Sequence, residues 1–173
     1  LGKGTEKCLF IEDVFLMWYN DLKVEIECSL NQMSVKIVVV DDDRATLALL
    51  ERNLIQRGFW VYSAKDGEEG FDLIDREKPD LVISDMLMPK IHGVDLCKTI
   101  KATPELKKTK VIMMTGVYKG RFGLEEAFDS GADYFITKPI DVDNLIKKIF
   151  NLLKIDEEEF RKEFVKHSSD EDS

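Results

Sequence analysis

Between Val35 and Leu153, short apolar runs rich in β-branched residues alternate with longer stretches of helical period, and the alternation repeats five times. The first run is Val35 to Val40, followed by Arg44 to Arg57 with Leu47, Leu50, Leu54 and Ile55 at helical spacing and Gly58 as a stop. Phe59 to Ser63 is the second run; Asp66, with Glu69 three residues on as a capping box, predicts a helix ending before Pro79. Leu81 to Ser84 is the third, followed by a loop through Pro89 and Gly93 and a helix from about Val94 to Lys101. Val111 to Met114 is the fourth, with a helix from about Arg121 to Ser130 that Gly131 ends. Tyr134 to Ile136 is the fifth, and Asp141 caps a helix whose Val142, Leu145, Ile146, Ile149, Phe150 and Leu153 share one apolar face.

Strand runs that are solidly apolar, each followed by a helix, indicate a parallel sheet covered on both faces. The pattern predicts a doubly wound α/β domain. In such a sheet the ligand crevice lies outside the carboxyl ends of the strands, so the residue that ends each strand is where chemistry is expected.

The two chain ends fall outside the alternation. Residues 1–33 hold one amphipathic stretch (Leu9, Phe10, Val14, Phe15, Trp18) and are expected to be an N-terminal extension, either helical or foreign to the natural chain. The compact domain is expected over 34–154. Residues 155–173 read as an acidic C-terminal tail, in which Phe160 and Phe164 put a weak apolar stripe on a short helix and Ser168 to Ser173 is solvated.

Composition narrows the function. The chain has 173 residues, 44% of them hydrophobic, and 34 acidic against 25 basic residues for a net charge of −9. That balance lacks the positive field that holds nucleic acid or anionic lipid. Three scattered cysteines (Cys8, Cys28, Cys97) and two histidines (His92, His167) form neither a disulfide framework nor a zinc site. No run reaches the roughly 18 apolar residues of a membrane span, and Glu12 and Asp13 break the best secretory candidate, so a cytoplasmic location is expected.

Four of the five strands deliver a polar group to one rim: Asp41, Asp42 and Asp43 after the first, Asp85 after the third, Thr115 after the fourth and Lys138 just past the fifth. Asp43 suits the cap of the helix it precedes. If the first and third strands are neighbours, their ends lie about 5 Å apart and Asp41, Asp42 and Asp85 share a pocket. Two like charges at about 4 Å repel by about 4 kcal/mol at an effective dielectric of about 20, so either a proton stays or a cation binds. An all-oxygen set without His or Cys selects a hard divalent ion, Mg²⁺, with Mn²⁺ as a substitute. A carboxylate beside such an ion, with a lysine and a threonine opposite, can take a phosphoryl group as an acyl phosphate.

These blocks, VVVDDD (Val38 to Asp43), DMLMPKIHG (Asp85 to Gly93), MMTG (Met113 to Gly116) and GADYFITKP (Gly131 to Pro139), in this order and spacing, resemble the receiver domain of two-component response regulators of the stand-alone, chemotaxis-regulator type. The resemblance covers about Val35 to Leu153. It implies a flavodoxin-like five-stranded sheet of order 2-1-3-4-5 with helices on both faces. It makes Asp85 the phosphoacceptor, Asp42 a direct metal ligand, Asp41 a ligand mostly through water, and the backbone carbonyl of Leu87 the remaining protein ligand. Thr115 and Lys138 would contact the phosphoryl group, Phe135 would turn inward with Thr115 as the switch, and Lys138-Pro139 would be cis. Leu87 and Val117 depart from the family's best-known polar pattern, since neither can orient a water for attack on the acyl phosphate, and a long-lived phospho-form is expected.

By the same resemblance the phosphodonor is a phosphohistidine on a sensor histidine kinase or phosphotransfer protein. The chain is then a self-phosphorylating signalling receiver with slow autodephosphorylation, not a turnover enzyme. A phosphatase of the haloacid dehalogenase type, with its D-x-D-x-T/V motif, is imitated by Asp41 and Asp43 but fails at Ala45 and leaves Asp85 idle. Three aspartates after the first strand would repel a flavin phosphate. A degenerate adaptor is disfavoured because every chemical position is filled. About 20 residues follow the last predicted helix, so a stand-alone regulator is expected, with no output domain to bind DNA. It would signal to a protein target through the face of the fourth helix (Arg121 to Ser130), fifth strand and fifth helix, near Lys119, Arg121 and Phe122. Homodimerisation stays open.

Overall fold

The structure, a computed structural model, describes residues 35–116 and 129–170. Its strands are β1 (Lys36–Val40), β2 (Trp60–Ala64), β3 (Leu81–Asp85), β4 (Lys110–Thr115) and β5 (Tyr134–Thr137). Its helices are α1 (Arg44–Ile55), α2 (Gly67–Glu77), α3 (Gly93–Ala102), α4 (Val142–Leu153) and α5 (Glu157–Asp170). All pairings are parallel, in the order β2-β1-β3-β4-β5, as the resemblance implied.

Alternation along each strand sends side chains to two separate cores. Ile37 and Val39 of β1 join Leu50, Leu54, Leu145 and Ile149 from α1 and α4 on one face. Val38 and Val40 join Ile74, Leu96 and Ile100 from α2 and α3 on the other. With both faces covered, no strand position needs to be polar, so the runs read as solid apolar blocks.

Three aspartates start helices as expected. Asp43 accepts from the N–H groups of Ala45 and Thr46, Asp66 from those of Glu68 and Glu69, and Asp141 from that of Asn144. Glu69 does not close the expected capping box on Asp66: its Oε2 accepts the N–H of Lys65, one residue before the cap. The element ends differ by one or two residues from the sequence pattern. β3, β4 and β5 run on through Asp85, Thr115 and Thr137, because ladder pairing continues past the last apolar residue. α1 stops at Ile55, since a turn through Gly58 at φ 91 closes it earlier.

The expected stripe on the C-terminal segment exists and is used. Phe160 of α5 is 3% exposed, stacked on Phe59 at 5.1 Å and edge-on to Phe150 at 5.5 Å. Residues 1–33, Val117 and most of the helix expected from Arg121 to Ser130, with Lys119 and Phe122, lie outside the described residues.

Candidate functional site

β1 and β3 are adjacent, with Val40 opposite Ser84, so Asp41 just past β1 and Asp85 at the end of β3 leave the sheet side by side. Both are buried, Asp41 completely and Asp85 to 8% exposure. Between them sits the Lys138 ammonium, 2.7 Å from Asp41 Oδ2 and 2.6 Å from Asp85 Oδ1. Lys138 reaches the site because its N–H donates to the Thr115 carbonyl at 2.8 Å, which ties the end of β5 to the end of β4. The peptide bond after it, Lys138-Pro139, is cis, as expected.

The remaining bonds fix the two carboxylates. Asp41 Oδ1 accepts the N–H of Asp43 at 2.8 Å, and Asp85 Oδ2 accepts the N–H of Leu87 at 2.8 Å. Burial pushes the Asp41 carboxyl above its ordinary value, further than the bonds from Lys138 and the Asp43 N–H pull it back. Burial would lower Lys138, but its bonds to Asp41 and Asp85 outweigh that and hold the ammonium above its ordinary value. The Lys138 ammonium thus offsets the mutual repulsion of these two acids.

Not every expected residue joins this cluster. Asp42 is exposed and makes no hydrogen bond or ion pair among the described residues. Thr115 is buried at the end of β4, and its hydroxyl donates to the Gly116 carbonyl at 2.8 Å. Phe135, opposite Met113 in the sheet, is partly buried against the core shared with α2 and α3. Asp43 is engaged as the α1 cap and also accepts from the Thr46 hydroxyl at 2.7 Å, so its carboxylate is committed to the helix. Leu87 is 56% exposed, whereas its neighbours Met86 and Met88 are core residues.

Among the described residues no group of three or more His, Cys, Asp or Glu side chains is gathered as a metal site. The donor chemistry nonetheless fits a hard cation. Asp41, Asp42 and Asp85 and the Leu87 carbonyl are all oxygen donors, and each Asp85 oxygen uses only one of its lone pairs on Lys138 or Leu87.

The loop carrying Asp85 has two further features, at Gly93, which the motif includes, and at Lys90, which it does not explain. At Gly93 a Cβ would lie 2.0 Å from the Asp85 carbonyl oxygen and 2.9 Å from Ser84 Oγ, so that position admits no side chain. Lys90 bridges Asp66 Oδ2 at 2.9 Å and Glu68 Oε2 at 3.0 Å. The glycine carried a signal, the motif spacing; the lysine carried none, because its partners stand more than twenty positions earlier.

A family model for the response regulator receiver domain matches residues 37–150. The response regulator MprA of Mycolicibacterium vanbaalenii is 34% identical over 122 residues, covering 70% of this chain and 52% of that protein. The chain thus spans about half the length of the curated relatives it matches. A CheY-like response regulator receiver domain protein from Methanospirillum hungatei is 30% identical with a TM-score of 0.65, covering 76% of this chain and 99% of that one. The signal receiver domain of a signal transduction histidine kinase from Syntrophus aciditrophicus is also 30% identical, with a TM-score of 0.66, covering 70% and 91% of the two chains.

Proposed function

This chain belongs to the response regulator receiver family of two-component systems, and from that premise we propose that it takes a phosphoryl group from a phosphohistidine onto Asp85. The observation that carries the reading is the Lys138 ammonium held between the buried carboxylates of Asp41 and Asp85. A carboxylate oxygen of Asp85 attacks phosphorus, the phosphorus–nitrogen bond of the donor breaks, and the departing imidazole takes a proton. Lys138 then follows the charge, moving from the carboxylate to an equatorial phosphoryl oxygen. Thr115 trades its bond to the Gly116 carbonyl for one to another phosphoryl oxygen, and Phe135 turns inward with it.

Asp42, Asp85, the Leu87 carbonyl and, by way of water, Asp41 would hold Mg²⁺, with Mn²⁺ as a substitute, and the ion would neutralise charge on the phosphoryl oxygens. The donor is a sensor histidine kinase or a phosphotransfer protein. The output is a protein target met through the face of β5 and α4, together with the helix expected over 121–130, most of which lies outside the described residues, and a second copy of the chain is a further candidate for it. We take residues 34–154 as the receiver unit, with 1–33 as an extension and the acidic segment 155–173 packed on the unit through Phe160. Among the described residues no helix is long and apolar enough to cross a membrane; the cytoplasm is proposed as the place of action from the family's role alone.

Incubation with acetyl phosphate or phosphoramidate and Mg²⁺, followed by intact mass, tests the reading. A single phosphate adduct that Asp85→Asn abolishes is expected. Release of many phosphates per chain, dependent on Asp41, would overturn it in favour of a phosphatase.

A further inference from the structure

Lys90 stands in the loop between β3 and α3 with a left-handed backbone, φ 68. The N–H of Ile91 donates to the Pro89 carbonyl at 2.9 Å, closing a three-residue turn centred on Lys90. Turns of this kind with positive φ are costly for any residue with a Cβ, and glycine would meet the geometry freely. A lysine placed there has its use in its side chain. Its ammonium meets Asp66 Oδ2 and Glu68 Oε2, and the Asp66 side chain is only 7% exposed. Asp66 Oδ1 meanwhile caps α2 by accepting from Glu68 and Glu69. Next to the ion pairs, a Cβ on Gly67 would lie 2.2 Å from the Ile91 carbonyl oxygen, so the two backbones are in direct contact. The tip of the loop that begins at Asp85 is therefore clasped to the first turn of α2.

We propose that Lys90, Asp66 and Glu68 form an ionic clasp that positions the loop for phosphoryl transfer at Asp85. The base of the loop is pinned separately, by the Gly93 N–H on the Met86 carbonyl at 3.0 Å. Leu87 lies between the pinned base and the clasped tip, and its N–H orients Asp85 Oδ2. Release of the tip frees Leu87, and with it both the orientation of the acceptor carboxylate and the carbonyl assigned to the ion. Lys90 touches neither Asp85 nor the phosphoryl group, so it acts as a positioning residue. This inference rests on the proposed phosphoacceptor role of Asp85.

Full-length Lys90→Met, Lys90→Gly and Lys90→Arg variants test it with two readouts. The first is hydrogen exchange of the Leu87 amide by NMR in metal-free protein, expected to be about threefold faster in Lys90→Met and Lys90→Gly and near wild type in Lys90→Arg. The second is the Mg²⁺ concentration that half-saturates labelling by acetyl phosphate, expected to rise by a similar factor in the first two variants. The glycine variant is decisive because it relieves the turn while removing the ammonium; a role in stability alone would leave it unharmed. Leu87 exchange and Mg²⁺ dependence unchanged in both Lys90→Met and Lys90→Gly overturn the clasp. Wild-type protein that takes no label overturns the phosphoacceptor reading instead, and Leu87 exchange then decides the clasp by itself.

Discussion

Lys138 holds two buried carboxylates together by meeting one oxygen of each. The neighbouring loop is as tightly determined. Because a backbone oxygen lies 2.0 Å from where a Cβ at Gly93 would sit, Gly93→Ala must displace the chain at Asp85 itself. We expect it to cost about 1–3 kcal/mol in urea unfolding and to slow labelling of Asp85 by acetyl phosphate. Leu87 sets a different property. Leu87 is 56% exposed beside the acceptor, and its side chain offers no group to orient water. An amide there could align a water with phosphorus through one hydrogen bond worth about 1.4 kcal/mol, so Leu87→Asn should shorten the phospho-form's half-life about tenfold, followed by intact mass in Mg²⁺. An unchanged half-life would count against it.

Between elements, Asp133 is the junction at the end of the sheet remote from Lys138. Its Oδ2 lies 2.6 Å from Lys101 of α3 and accepts the N–H of Val111 of β4, while its Oδ1 meets Lys110 at 2.8 Å. Burial pushes this carboxyl up, but the bonds from Lys101, Lys110 and the Val111 N–H together bring it below its ordinary 3.8. A depressed carboxylate stabilises the fold above the unfolded value, and that contribution is lost as pH falls through the lower folded value. Asp133→Asn should therefore cost about 1–3 kcal/mol at neutral pH and show a smaller further loss below pH 3.8, measured by urea unfolding across pH. A constant gap between variant and wild type down to strong acid would refute this.

Across the whole molecule, the family match ends at residue 150, whereas the core does not. Phe160, ten positions later, closes a three-ring cluster with Phe59 and Phe150. We expect Phe160→Ala to lower unfolding free energy by about 3–5 kcal/mol by leaving a cavity against those rings. Phe164→Ala, on a side chain that is already 43% exposed, should cost less. No measurable loss for Phe160→Ala in urea unfolding would show that α5 adds nothing to the core.

Within the described residues, strand and helix content, the helix caps at Asp43, Asp66 and Asp141, and the rim that carries Asp41, Asp85, Thr115 and Lys138 were all legible in the chain. Each depends on neighbours a few residues away: apolar periodicity, a cap one turn ahead, a strand end. Other features were decided only by the folded chain. That Lys138 shares its ammonium between Asp41 and Asp85 while Asp42 stays exposed, that Lys90 finds Asp66 and Glu68, and that Phe160 lands on Phe59 depend on separations of up to 101 positions in sequence. Such contacts leave no local periodicity, because their energy comes from burial and charge pairing that exist only once β1, β3 and β5 lie in one sheet.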